Sequence, residues 1–176
     1  MSIGSLAQSL AEAIVKNSSN PSANVKQIKL GLHIILNYLL VFITVAIVSA
    51  LLDNLFNAIV SFFAFALLRF FSGSSWHFKN DIHCYLFSSV VLTVVPLIKL
   101  HNDLFDPNYI SLLLIIIFAP SSRRIKRKSV KGFVFKCISL LIVIFHIGSF
   151  KIDAVTSVFL LQSLSLIPFR RSIWSE

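Results

Sequence analysis

The sequence predicts an all-α polytopic membrane protein, with about six transmembrane helices preceded by an amphipathic interfacial helix. Three observations predict it. Hydrophobic residues fill 56% of the 176 positions, while Asp, Glu, Lys and Arg together fill 13%, against roughly 25% in an ordinary soluble domain. Mean hydropathy is +0.85. The apolar residues also gather into six segments separated by short polar stretches. A soluble fold of this length could not hide so much apolar surface. Disorder is excluded by the same numbers, and a disulfide scaffold by the presence of only two Cys. The chain reads as one unit, 1–176, with the interfacial helix over 1–16 and the bundle over 30–169.

The elements follow in order. Ile3, Leu6, Leu10 and Ile14 recur at helical spacing with Ser5, Gln8, Ser9 and Glu12 between them, which marks a helix lying in an interface. Met1–Lys16 lacks the basic start and unbroken apolar core of a cleavable signal. A polar linker from Asn17 to Asn24 comes next. The apolar segments are Leu30–Leu52, Leu55–Phe71, Cys84–Leu100, Pro107–Ala119, Phe133–Phe150 and Ala154–Phe169. Spanning a bilayer takes about 20 helical residues. The fourth and sixth segments are therefore short and need snorkelling neighbours such as Arg123 or Arg170. Asp106 and Pro107 give the fourth a clear start, a capping carboxylate before a proline suited to the first helical position.

Charge sets the direction. With six crossings and the N-terminus inside, the inner side receives Lys16, Lys26 and Lys29, then Arg69 and Lys79. It also receives the seven basic residues from Arg123 to Lys136, and finally Arg170 and Arg171. Only Lys99 and Lys151 fall outside, beside Asp53, Asp103, Asp106 and Asp153. This is the positive-inside pattern, and it predicts a multi-pass protein of the cell membrane with both termini cytoplasmic. A re-entrant fourth segment would move the seven-charge loop outside. The net charge of +9 is thus read as orientation and contact with the lipid bilayer, not as nucleic-acid binding.

Chemistry is sought where polar residues meet the membrane. The stretch 69–84 packs Arg69, His77, Lys79, Asp81, His83 and Cys84 into sixteen residues at the inner face. A cysteine nucleophile needs a base or cation to make the thiolate, and histidine is the usual partner. His77 and Cys84 are seven residues apart, about 10 Å along a straight helix, whereas proton transfer needs about 3 Å. The segment must therefore bend, or His77 must fold back over the start of the third span. Ser72-Gly73-Ser74-Ser75 and Asn80-Asp81 are suitable breakers. His83, adjoining Cys84, points roughly 100° away on a helix and is the poorer base. A packing thiol and a solvated histidine are the plain alternatives. A zinc site from His77, Asp81, His83 and Cys84 lacks a familiar ligand spacing.

Arg69, Ser72, Gly73, His77, Lys79 and Cys84 resemble the motif of the accessory gene regulator protein B (AgrB) family. These are membrane cysteine endopeptidases that process quorum-sensing pheromone precursors in Gram-positive bacteria. Size, the N-terminal amphipathic helix and the Ala119-Pro120 pair before a basic loop agree. Two departures stand out: Ser74-Ser75 replaces the second Gly, and Arg69 lies eight rather than seven residues before His77. The resemblance implies His77 and Cys84 as the catalytic pair, with no cofactor. It also implies an AgrD-like precursor peptide as partner and a homodimer. The implied chemistry expels the peptide's C-terminal tail and leaves a thioester on Cys84, which a Cys or Ser of the peptide can close into a ring. Supporting roles fall to Arg69 and Lys79, with backbone amides near Gly73 or Ser74 steadying the oxyanion. The rival readings are a small transporter or export component, and a non-catalytic scaffold of the same descent.

Overall fold

The computed structural model describes residues 3–18, 24–73, 81–98, 106–120, 129–149 and 152–168. Every regular element among them is helical: α1 Ile3–Lys16, α2 Val25–Leu51, α3 Leu55–Ser72, α4 Asp81–Val94 continued by a 3₁₀ turn Val95–Leu97, α5 Pro107–Phe118, α6 Val130–Ser149 and α7 Asp153–Leu164. Each of the six apolar segments is thus a helix, with edges within a few residues of those expected. Three of them, α2, α3 and α6, are long and apolar enough to cross a membrane.

The other three are shorter, and each has a local cause. Pro96 lacks the N–H that would continue α4, so the helix tightens into the 3₁₀ turn. In α5, Asp106 caps the start by accepting the Asn108 N–H at 2.9 Å, with Pro107 in the first position. Its end comes at Ala119, held extended because it precedes Pro120. α5 and α7 have 12 residues each, about 18 Å of helix against a hydrocarbon core of about 30 Å.

Side-chain contacts show that α3 to α7 alternate in direction. Near Cys84 lie the last turn of α3 and the end of α7, joined by Gln162 and Gly73. Phe71 of α3 meets Phe135 near the start of α6 in an edge-on ring pair, and Lys136 donates to the Ile116 carbonyl at the end of α5. At the opposite end, Ser157 near the start of α7 bonds the Ile98 carbonyl beyond α4. There Asn108 of α5 and His146 of α6 converge on Thr156 of α7, each at 3.1 Å. The described basic residues after Asn24, among them Arg69, Lys131 and Lys136, belong to the Cys84 end, and Asp53, Asp106 and Asp153 to the other.

α7 is the axis of the bundle. Ala154 to Phe159, Gln162 and Ser163 are all buried, and both apolar clusters draw on it. One joins Val158 to Val41, Val45, Phe62 and Leu92; the other joins Val155 and Phe159 to Leu68, Ile115 and Val143. The exterior is the reverse of a soluble protein. Leu51, Phe56, Phe70 and Phe145 lie 67–80% exposed, while the buried polar groups of α7 face inward. α1 packs on α2 through the small Ala7 and Ala11, each fully buried, and leaves Leu6, Leu10 and Ile14 outward.

The Thr156 hydroxyl is the joint of three helices, so its loss should loosen the bundle. Thr156→Val keeps the shape but leaves Asn108 and His146 buried without that partner, a cost on the order of 1–3 kcal/mol. Reversible unfolding in detergent should show that loss. Helix content below the new midpoint should be unchanged, because the backbone hydrogen bonds of the three helices do not depend on this hydroxyl.

Candidate active site

The last turn of α3, the first turns of α4 and the end of α7 enclose a pocket of about 400 Å³, counting the space at its open mouth. Its polar lining residues are Arg69, Cys84, Ser88, Gln162 and Ser165. Phe65, Phe87, Val91 and Leu161 make the apolar walls. Cys84, half-exposed, and Arg69 thus line one recess whose walls are largely apolar.

Each group arrives there by local rules. Cys84 stands in the first turn of α4, three residues after Asp81, as a free thiol, where the helix dipole is positive. Arg69 stands in the last turn of α3, where a cation complements the negative end, and its guanidinium lies over the Phe65 ring at 5.5 Å.

Gly73 terminates α3 with φ 76° and ψ −165°, a combination that is essentially restricted to glycine. Its N–H is donated to the Arg69 carbonyl at 2.9 Å, so its contribution lies in conformation and not in an amide left for an oxyanion. The carbonyl of Gly73 accepts from Gln162 Nε2 at 2.7 Å. The expected break in Ser72-Gly73-Ser74-Ser75 is therefore present at its second residue.

Of the residues singled out in the sequence, the pocket brings together Arg69 and Cys84, with Gly73 at its edge through Gln162. Ser74, His77 and Lys79 lie outside the described residues, as does the basic stretch Arg123–Lys128. His83 is exposed and takes no part in lining the pocket. Cys137, also a free thiol, sits on α6 away from it. No three His, Cys, Asp or Glu side chains among the described residues converge as a metal site. Sequence reasoning missed Gln162 and Ser165. A carboxamide inside an otherwise apolar segment was the available signal for Gln162.

The family model for accessory gene regulator B matches residues 7–167, nearly the whole chain. No curated protein matches the chain, and no solved structure does.

Gly73→Ala tests the turn. A Cβ at this φ and ψ costs about 1–3 kcal/mol of strain, which the chain can relieve by moving the end of α3. Circular dichroism in detergent should show unchanged helix content with a lowered unfolding midpoint. An unchanged midpoint would mean that the turn is not as strained as its angles require.

Proposed function

The chain belongs to the accessory gene regulator B family, and from that premise we propose that it is a cysteine endopeptidase processing a pheromone precursor at the cytoplasmic face of the membrane. The observation that carries this reading is the Cys84 thiol opening onto a recess with Arg69, at the basic end of the bundle. The family supplies the quorum-sensing role. The residues supply a mechanism.

His77 accepts the Cys84 thiol proton, and the sulfur attacks a peptide carbonyl carbon. As the S–C bond holds and the C–N bond breaks, the leaving amine takes the proton back from His77, and the C-terminal tail departs. The remaining peptide is a thioester on Cys84. Water, or a nucleophile within the peptide, then displaces the sulfur and gives a linear acid or a ring. His77 stands four residues from Gly73 and four from Asp81, so chain length keeps it within about 14 Å of each. Contact with Cys84 is thus permitted by covalent geometry. Arg69 suits a carboxylate of the departing tail, since guanidinium holds carboxylates in paired bonds.

Topology fits the same reading. Alternating helix directions and basic residues at the Cys84 end favour six crossings with both termini inside. The 12-residue helices α5 and α7 cross only where the bilayer thins around them. A cysteine introduced at Ser129 should be protected from an impermeant thiol reagent on intact cells, and one at Asn102 should react. Labelling of position 129 from outside would overturn this topology.

The catalytic pair is tested by processing of a precursor peptide in membranes. Cys84→Ser should abolish cleavage and Cys137→Ser should leave it near normal. His77→Ala should accumulate normally yet cleave about 10²–10⁴-fold more slowly, with residual activity rising with pH as hydroxide replaces the base. His83→Ala should cleave like the parent. Loss of cleavage in His83→Ala with retention in His77→Ala would reassign the base.

A further inference from the structure

We propose that Gln162 is a positioning residue of the thiol pocket, fixing where and in which direction the chain leaves α3 toward His77 and Cys84; this rests on the acyl-transfer reading above.

Gln162 is fully buried, one turn along α7 from Val158 and Phe159, which are buried too. A carboxamide in such surroundings costs several kcal/mol unless its hydrogen bonds are made. Both of its Nε2 bonds go to the end of one other helix: the Gly73 carbonyl at 2.7 Å and the Ser72 hydroxyl at 3.2 Å. A carbonyl needs a donor, so the nitrogen must face Gly73. On the other side the Ser165 hydroxyl donates its proton to the Gln162 main-chain carbonyl at 2.7 Å and lies 3.3 Å from Oε1. The carboxamide therefore has one orientation and one target.

That target is where the fold needs outside help. The last carbonyls of a helix have no donor within it. At Gly73 the backbone has also left the conformations that side-chain sterics would enforce. Within α3 the Gly73 N–H is held by the Arg69 carbonyl at 2.9 Å and the Gly73 carbonyl takes only a long bond from the Ser72 hydroxyl at 3.3 Å; the shorter bond to that carbonyl, and the one that ties it to another helix, comes from Gln162. Gln162 lines the same pocket as Cys84 and Arg69, so the tie starts from a residue of the pocket wall. A displacement of about 1 Å in a reacting group can cost on the order of 10²-fold in rate. Fixing Gly73 fixes one end of the short tether to His77.

A double-mutant cycle with purified full-length protein separates positioning from mere stapling. The readout is single-turnover formation of the Cys84 thioester with the precursor peptide, followed across pH. Gln162→Met should slow acylation at least tenfold and give the pH profile of His77→Ala. In a His77→Ala background it should cost less than threefold more, because the base it positions is already gone. Gln162→Asn, polar but one methylene too short to reach Gly73, should behave alike and serves if the Met variant is poorly produced. The proposal is overturned if the two losses multiply in full, if the pH profile keeps its parental shape, or if both variants acylate at the parental rate. Failure of both to accumulate would also overturn it, making Gln162 a residue of the fold. His77→Ala acylating at the parental rate would instead overturn the catalytic pair, whatever Gln162 does.

Discussion

A polar group shut inside this bundle has no water to turn to, and the short helix α7 is where that constraint acts most strongly. Thr156, Ser157, Gln162, Ser163 and Ser165 are all buried on or just beyond it. Each finds its partner at a different place. Thr156 joins α5 and α6, Ser157 holds the chain beyond α4, and Gln162 holds the end of α3. Ser163 and Ser165 return their hydroxyls to α7 itself. Apolar contacts between helices are nearly interchangeable with contacts to lipid, whereas a buried hydroxyl or carboxamide accepts only a few positions. The polar set therefore decides which helix sits where, and the two apolar clusters fill the space around it.

The two ends of the bundle use this differently. At the Asp106 end the joint of Asn108, His146 and Thr156 is closed and structural, with Phe159 edge-on to the imidazole at 5.3 Å. At the Cys84 end the polar groups border an open recess that also holds a thiol and a guanidinium. The helix termini add to the contrast. The Arg69 cation in the last turn of α3 sits at the dipole end that favours its charge, and the Cys84 sulfur stands in the first turn of α4. One end is closed by its own hydrogen bonds, and the other leaves its polar residues around an open recess.

Much of the architecture was legible because its signals are local. Apolar runs located every helix of the bundle, and Asp106-Pro107 located the start of α5 to the residue. Gly73 was legible as a breaker, though its tie to α7 was not. Hydropathy counts Pro96 as one more residue of an apolar run, so the shortening of α4 escaped. In α1 the large apolar residues drew attention, while Ala7 and Ala11 make the contact with α2. The pocket itself was half legible. Arg69 and Cys84 lie within one motif, but Gln162 comes from a helix 78 residues later than Cys84. No periodicity within a helix carries that information; it is held in pairings between distant polar groups.

The most direct test of the account is the covalent state of the thiol during turnover. Protein mixed with its precursor peptide and quenched in acid within one turnover should show, by intact mass, an adduct equal to the peptide minus its C-terminal tail. Peptide mapping should place that adduct on Cys84, and neutral hydroxylamine should release it as a thioester. An adduct on Cys137, or cleavage that proceeds at the same rate with Cys84 replaced by Ser and no adduct at any stage, would contradict the account.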